Sequence, residues 1–291
     1  MAIVVVWFTG MLAAGYSLTG ESLLDAQLLA ACALVALVGF VDDHRPLAAR
    51  WRMSMHVASA IWVILALGGM PPVPFGPVLA EAGWVGGAIG VVYLAWMLNL
   101  YNFMDGIDGI AGLEAVTVAG CAALLSIVVG MESISVAILL LGAASLGFVV
   151  WNFPRARIFM GDGGSGFLGF TFGVLSLVMA FQVPALFWSW VILLGVFIVD
   201  ATTTLFARTR RRARLSEAHR SHAYQYAARR LGRHWPVSAA VVAINLCWLL
   251  PLALAAAKGW LDGWSATVIA YLPLVLLARW LGAGAPEMQQ E

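Results

Sequence analysis

The stretch that decides the fold reads Asn99-Leu-Tyr-Asn-Phe-Met-Asp-Gly-Ile-Asp-Gly109. It begins inside a window from Ala82 to Met104 that contains no Asp, Glu, Lys or Arg. About 20 apolar residues cross a bilayer as a helix, so this window predicts a membrane span. Asp105 and Asp108 stand where the span ends, and a carboxylate near hydrocarbon is costly and usually functional. On helical backbone the two carboxylates share one face, which Asn102 extends by a turn. This set suits a hard cation with a phosphate ligand; the alternative is a polar helix end.

The composition places the whole chain in a membrane. It is 62% hydrophobic and 11% charged, with a mean hydropathy of +0.91, whereas soluble domains are roughly a quarter charged. The three cysteines lie in apolar runs and are interpreted as packing residues. We therefore expect one all-α membrane domain over residues 1–291, a polytopic bundle of about ten transmembrane helices. The predicted spans lie near 2–18, 26–41, 54–69, 84–101, 111–130, 133–151, 164–181, 185–206, 236–257 and 264–281.

The basic residues give the predicted orientation of the bundle. When the loops are assigned to alternating sides, one side receives all 15 arginines and the other only Lys258. Positive charge is retained on the cytoplasmic side of a membrane, so the arginine side is predicted to be cytoplasmic. The acids next to spans segregate to the same side, and they are Asp42, Asp43, Asp105, Asp108, Asp162 and Asp200.

Asp42 and Asp43 close the second predicted span, in the segment Gly39-Phe-Val-Asp-Asp-His-Arg-Pro46. Neighbouring residues point in different directions on a helix. One carboxylate could therefore face a metal or phosphate while the other orients a partner. The alternative is a pair of acids at the membrane edge without a functional role.

Asp162 lies in Phe159-Met-Gly-Asp-Gly-Gly-Ser-Gly166, just ahead of a span. Its glycines allow a tight turn whose N–H groups form an anion nest. Asp162 or Ser165 could cap the following helix, whose N-terminus favours phosphate, and a plain helix cap is the alternative. Asn152 and Arg155 or Arg157 flank the same predicted pocket, and either arginine could pair with a phosphate or anchor the span end.

The loop 207–235 is the longest and most basic, and its arginine run is by default an anchor on anionic lipid. His219 and His222 share one face if the segment is helical, and with Arg220 they could bind a diphosphate. A surface helix is the alternative, and zinc is disfavoured because no third ligand follows at a suitable spacing. Asp200 is interpreted as a polar latch inside the bundle rather than a catalytic acid.

Together these groups favour magnesium and phosphate chemistry at one membrane face. A cation transporter should carry ionisable groups near mid-span, and the predicted span centres are almost free of charge. There are two competing hypotheses. The protein is a transporter or flippase for a phosphate compound, or it is an inactive, truncated relative of an enzyme.

The four motif loops resemble those of the polyprenyl-phosphate N-acetylhexosamine-1-phosphate transferases, a branch of glycosyltransferase family 4, in the same order and on the same membrane side. The motifs are Asp42-Asp43, the segment 99–111, Phe159-Met-Gly-Asp-x-Gly-Ser165 and His219-Arg-Ser-His-Ala-Tyr-Gln225. They are most similar to the branch that initiates O-antigen and related glycans. The MurNAc-pentapeptide translocase is a cousin with a triple-histidine loop, which this chain lacks.

The resemblance implies transfer of a sugar-1-phosphate from a UDP-N-acetyl amino sugar to undecaprenyl phosphate, with release of UMP. It implies Mg²⁺ as cofactor, with Mn²⁺ as a substitute, and Asp162 as the metal ligand together with Asp105. Asp42 and Asp43 would lie near the metal and the lipid phosphate, one of them as a base. Asn102, Asp105 and Asp108 would position the nucleotide and metal, and Asp105 and Asp108 count with Asp42 and Asp43 as the catalytic acids. His219 and His222 would contact the diphosphate of the sugar nucleotide. The implied substrate-binding residues are Asn99, Asn102, Asn152, Arg155, His219, Arg220 and His222.

Two departures from the family pattern qualify this expectation. Family members usually have one more N-terminal span, so the start of this chain is expected to be late or shortened. A lysine often follows the paired acids, whereas here only Arg50 and Arg52 are available, and arginine would not donate a proton. Direct attack by the lipid phosphate is favoured, with a route through an aspartyl phosphate left open.

The expected setting is the bacterial inner membrane, with several spans and a cytoplasmic active site. The expected partners are the UDP-sugar, undecaprenyl phosphate and membrane lipid. A homodimer is compatible with the sequence, and no nucleic-acid partner is expected.

Overall fold

The chain folds as a polytopic helical membrane protein, as the composition predicts. A computed structural model describes residues 1–75, 78–80, 83–213 and 219–286. Within them, one antiparallel hairpin of strands β1 (Val73–Phe75) and β2 (Val78–Ala80) adds to the expected all-α fold. The helices are α1 (Ala2–Ala14), α2 (Ser22–His44), α3 (Ala49–Ala66), α4 (Gly83–Met104), α5 (Ile110–Val128), α6 (Glu132–Asn152), α7 (Asp162–Gln182), α8 (Ala185–Leu193), α9 (Gly195–Arg210), α10 (Ala223–Leu231), α11 (Trp235–Ile244), α12 (Leu250–Ala257) and α13 (Gly263–Leu281).

Every predicted span coincides with a helix or with a run of joined helices. By length and apolar composition, seven of the described helical segments can cross a membrane, or eight if the bent pair α8–α9 counts as one span. The expected number of about ten is not reached on this criterion. Helix α1 has only 13 residues, fewer than the roughly 20 that a span needs.

The predicted span 185–206 is two helices rather than one. Helices α8 and α9 are bent by 72° at the break between them. Leu194, at the break, has φ −84° and ψ 12°, which lies outside the helical region. Because the surrounding stretch is uniformly apolar, its hydrophobicity does not reveal this bend.

A second irregularity interrupts the predicted span 236–257. Residues Asn245–Leu249 form a π-helix between α11 and α12. Pro251 follows after one residue, and proline has no N–H to continue the α-helical ladder. Single π-turns of this kind are frequent at functional sites.

Helix α7 is the centre of the bundle, and its glycines bring two other helices close to it. A Cβ built on Gly39 of α2 would lie 2.5 Å from the backbone nitrogen of Gly163 in α7. A Cβ on Gly169, two turns further along α7, would overlap the Met97 carbonyl of α4. These close approaches set the beginning of α7 beside the ends of α2 and α4, which carry the sequence motifs.

Candidate active site

An acid-lined cavity of about 330 Å³ lies where α4, α5, α6 and α7 meet. We call it the acid cavity. Its lining residues are Asn102, Asp105, Gly106, Ile107, Asp108, Asn152, Phe159, Gly161 and Asp162. Residues from two separate sequence motifs, together with Asn152 of α6, therefore border one space, as the segregation of acids to one side of the membrane predicts.

Asp105 and Asp108 do not share a helical face, contrary to the expectation from their spacing. Helix α4 ends at Met104 and α5 begins at Ile110, so both acids belong to a short loop between the helices. Gly109, the N-cap residue of α5, has φ +80°, a conformation that favours glycine. The loop still directs both residues to the acid cavity.

Asn152 holds this loop against the loop that precedes α7. Its Oδ1 accepts a hydrogen bond from the Gly109 N–H at 2.7 Å, and its Nδ2 donates to the Ile158 carbonyl at 2.8 Å. Both hydrogen-bonding ends of the amide are therefore used within the protein. Asn152 borders the cavity, and its described contacts show it as a clamp between two motif loops.

The carboxyl of Asp105 holds its proton more tightly than an ordinary aspartate does. Burial, and secondarily the neighbouring Asp162 carboxylate, raise the pKa of Asp105 to about 7. Burial disfavours the charged form of the Asp105 carboxyl, and the nearby Asp162 carboxylate disfavours a second negative charge beside its own. A cation placed between these carboxylates would relieve that repulsion.

Asp43 binds the beginning of a helix and is not among the residues that line the acid cavity. Its carboxylate accepts hydrogen bonds from the backbone N–H groups of Asp162, at 2.8 Å, and Gly163, at 3.2 Å. Asp43 therefore caps the N-terminus of α7, a task for which the sequence suggested Asp162 or Ser165. Gly161, with φ +70°, lies against this carboxylate and leaves no room for a Cβ.

Asp42 is joined to Asp162 through Arg52 of α3. Arg52 forms ion pairs with both carboxylates, and its Nη1 lies 3.1 Å from Asp162 Oδ2. Asp42 also accepts a hydrogen bond from the Leu47 N–H at 2.7 Å. Arg52 thus supplies a positive charge beside the paired acids.

The two asparagines of α4 are in different places. Asn102 lines the acid cavity and accepts a hydrogen bond from the Ser165 hydroxyl at 3.1 Å. Asn99 lies one turn deeper, where its amide donates to the Ala95 carbonyl of its own helix at 2.7 Å. Asn99 is not among the residues that line the acid cavity.

Residues 219–222, which hold both histidines of the motif, are not helical, contrary to the expectation of one helical face. Helix α10 begins only at Ala223, and the rings of His219 and His222 are stacked instead, with centroids 5.1 Å apart. His222 is 3% exposed and forms the capping box of α10 with Gln225. His219, Arg220 and His222 do not border the acid cavity; the adjacent residues 214–218 lie outside the described part of the chain.

The structure confirms the interpretation of Asp200 as a latch. Its carboxylate accepts hydrogen bonds from the N–H groups of Ala223 and Tyr224, both at 2.9 Å, and lies 3.2 Å from His222 Nδ1. The Tyr224 hydroxyl in turn donates to the Phe103 carbonyl at 3.0 Å. The histidine motif is therefore fastened to α9 on one side and to the end of α4 on the other.

His234 is a neighbour of the site that the sequence did not indicate. Its Nδ1 lies 3.2 Å from Asp108 Oδ2. A second cavity of about 460 Å³ shares Asp108 with the first one, and we call it the basic cavity. Its other lining residues are Pro154, Arg155, Gly232, Arg233, His234 and Trp235. An isolated histidine before a span carries no spacing signal, so only the fold reveals this contact.

The residues of the acid cavity fit a magnesium ion bound together with its substrate. The described residues include no ready group of three or more acidic, histidine or cysteine ligands. Magnesium usually binds to one or two carboxylates and completes its shell with water and substrate phosphates. Asp105 and Asp162 supply such a pair, with the Asn102 amide beside them.

The fold and site define a polytopic membrane protein with an acid-lined cavity at the ends of its helices. A family model described as glycosyl transferase family 4 matches residues 26–180, more than half of the 291 residues. The chain therefore belongs to glycosyl transferase family 4.

Individual relatives agree with this assignment. The chain is 31% identical to a probable undecaprenyl-phosphate N-acetylglucosaminyl 1-phosphate transferase of Bacillus subtilis, over 76% of the chain and 62% of the relative. It is 28% identical to a phospho-N-acetylmuramoyl-pentapeptide-transferase of Moorella thermoacetica, over 76% of the chain and 71% of the relative. The chain thus spans less than two thirds of the length of the Bacillus relative.

Proposed function

We propose that this protein transfers an N-acetyl amino sugar-1-phosphate from a UDP-sugar to undecaprenyl phosphate and releases UMP. The observation that carries the proposal is the meeting of Asp105, Asp108 and Asp162 with Asn102 in one cavity. The Bacillus relative, a probable undecaprenyl-phosphate N-acetylglucosaminyl 1-phosphate transferase, supports this reaction, and the Moorella relative is likewise a transferase of a phosphorylated N-acetyl amino sugar compound. The proposal extends to initiation of O-antigen or another cell-envelope glycan, at the cytoplasmic face of a bacterial inner membrane. A homodimer remains a prediction.

Magnesium, or manganese in its place, would be held by Asp162 and Asp105. These two residues would thereby bring a positive charge to the diphosphate, and the chemistry that the ion would supply is neutralisation of the charge that develops on the leaving UMP. Asn102 and Asp108 would position the nucleotide, while Arg52 maintains the orientation of the Asp162 carboxylate through their ion pair. Arg155 borders the adjoining basic cavity, where it can meet an anionic part of the donor.

The geometry supports a single displacement. An oxygen of the lipid phosphate attacks the sugar-side phosphorus and forms a new P–O bond, while the bond to the bridging oxygen breaks and its electron pair leaves with UMP. The attacking phosphate is already largely ionised near neutral pH, so no strong base is needed. Asp43 is engaged by two backbone N–H groups and Asp42 by Arg52 and Leu47, which disfavours either as a free nucleophile.

An apolar groove provides a candidate path for the polyprenyl chain. The groove has a volume of about 440 Å³ and is lined along α4 by Gly86, Ile89, Tyr93 and Trp96. Residues three and four apart share a helix face. The lining of the groove on α4 ends at Met97, five residues before Asn102, so a lipid phosphate at the acid cavity would require the prenyl chain to extend along α4 from this groove.

The test is an exchange assay with purified protein, undecaprenyl phosphate, Mg²⁺ and a panel of UDP-N-acetyl amino sugars, with UMP release as the readout. We expect Mg²⁺-dependent release from at least one donor and its loss in Asp162→Asn. Ser265→Ala, at the start of α13, is the control and should retain activity. Absence of release from every donor, by this chain and by one extended upstream, would contradict the proposal.

A labelled donor separates the two chemical routes. With ³²P in the sugar-side phosphate, we expect label in lipid and in unreacted donor, and no label on denatured protein when lipid is omitted. Labelled protein that disappears in Asp42→Asn or Asp43→Asn would instead establish the aspartyl-phosphate route.

A further inference from the structure

The N-cap residue His234 and the first turn of α11 hold Asp108 at both its side chain and its backbone. His234 Nδ1 lies 3.2 Å from Asp108 Oδ2 and 3.3 Å from the Asp108 backbone nitrogen. Ser238, one turn further along α11, donates its hydroxyl hydrogen to the Asp108 carbonyl at 2.8 Å. The carboxylate, the N–H and the carbonyl of one acid are therefore all contacted from the same helix.

Asp108 needs such external support because its own loop supplies little. The loop between α4 and α5 has no regular secondary structure around Asp108, and Gly106 and Gly109 flank it closely. Glycine leaves the backbone more conformational freedom than any other residue. Without contacts from outside the loop, the carboxylate would sample several directions.

The position of α11 is itself fixed by a buried polar contact. At the start of the π-helix, Asn245 donates its amide to Glu114 Oε2 at 2.6 Å and to Thr117 Oγ1 at 3.1 Å. Glu114 is fully buried in α5, which begins directly after the Asp108 loop. The beginning of α11 therefore contacts the Asp108 loop, and the residue that follows its end, Asn245, contacts α5.

We infer that His234 is a positioning residue that acts through Asp108 to orient the nucleotide of the donor. The inference rests on the proposed function, in which Asp108 positions that nucleotide. A protonated Nδ1 donates to the Asp108 carboxylate, and an unprotonated Nδ1 accepts from the Asp108 N–H. In both cases the ring restrains the same residue, and it does so from the basic cavity rather than from the acid cavity.

The test measures binding of UMP, which contains the nucleotide without any sugar, to the full chain in detergent with Mg²⁺. Loss of one such hydrogen bond changes an equilibrium by up to about tenfold. We expect His234→Ala to weaken UMP binding about tenfold and Ser238→Ala to weaken it by roughly threefold to fivefold. His234→Asn should restore near-native binding, because its amide can replace Nδ1 as donor or acceptor.

Arg230→Ala is the matched control, because Arg230 lies on the preceding helix and stacks on Trp280, outside both cavities. It should leave UMP binding unchanged. In the exchange assay, His234→Ala should raise KM for the UDP-sugar and leave KM for undecaprenyl phosphate unchanged. A merely structural role would change both constants and lower the thermal midpoint as well.

A double-mutant cycle shows whether His234 acts through Asp108. In an Asp108→Ala background, His234→Ala should cause no further loss of UMP binding, since contacting residues are not additive. Additive losses, or native UMP binding by both His234→Ala and Ser238→Ala, would overturn the inference. If the wild-type chain binds no UMP and releases none, the proposed function itself fails, which is a distinguishable result.

Discussion

Asp43, at the end of α2, caps helix α7 by accepting hydrogen bonds from the N–H groups of Asp162 and Gly163. The first N–H groups of a helix have no partner within the helix. A carboxylate at this end also interacts favourably with the helix dipole. The residue expected to hold the metal is therefore positioned by an acid from another motif.

Replacement of Asp43 should reveal this capping role in stability. Asp43→Ala should lower the free energy of unfolding by about 1 kcal/mol, whereas Asp43→Asn, which keeps an acceptor oxygen, should lose less. The measurement is the thermal midpoint in detergent. Glu21→Ala, an exposed acid ahead of α2, is the control. Equal losses for Asp43→Ala and Asp43→Asn would contradict the capping role.

Arg52 connects Asp42 and Asp162, so its planar guanidinium should matter beyond its charge. Arg52→Ala should lower kcat for UMP release by at least roughly tenfold, because Asp162 loses its orienting partner. Arg52→Lys should recover only part of the rate, since a lysine does not bridge two carboxylates in the same way. Arg50→Ala is the neighbouring control. A fully active Arg52→Lys enzyme would show that charge alone is sufficient.

The close contact of α2 and α7 predicts that a single methyl group disturbs the site. Gly39→Ala would place Cβ 2.5 Å from the backbone of α7 and push Asp43 away from the helix that it caps. We expect lower activity and a lower thermal midpoint. Gly147→Ala on α6 is the matched control, because its Cβ would meet nothing within 4 Å. An unchanged Gly39→Ala protein would refute the importance of this contact.

The Glu114–Asn245 pair predicts an asymmetric response to substitution. Asn245→Leu leaves a fully buried carboxyl without its amide donor and should cost roughly 2–3 kcal/mol of stability. Glu114→Gln should remain close to wild type, because its amide oxygen can still accept from Asn245. The thermal midpoints of the two variants decide between these outcomes. A stable Asn245→Leu protein would show that the pair contributes little.

The locations of the helices follow closely from the sequence, because charge-free windows of spanning length leave few alternatives. The meeting of Asp105, Asp108 and Asp162 was also predictable, since loop alternation places them on one side. The bend at Leu194 was not, because the run from Gly163 to Val199 is apolar on both sides of it.

The individual side-chain partners within this shared region could not be predicted. The sequence shows that Asp42 and Asp43 are adjacent, but not that one caps α7 while the other pairs with Arg52. The same holds for His234, which lies 126 residues after Asp108 in the sequence. The two residues meet only because α11 packs against α5. Such pairings depend on helix packing, on which hydrophobic periodicity carries no information.

The capping of α7 by Asp43 also has a consequence for biosynthesis. The two partners are 119 residues apart, so α2 is synthesised and inserted long before α7 emerges from the ribosome. Until then, Asp43 has no helix end to cap and Asp42 has no Asp162 to share Arg52 with. This polar face therefore cannot mature helix by helix. A nascent chain that stops before α7 already has the Asp42–Arg52 ion pair, but it carries the Asp43 carboxylate at the membrane edge without the two N–H groups that it contacts in the complete fold.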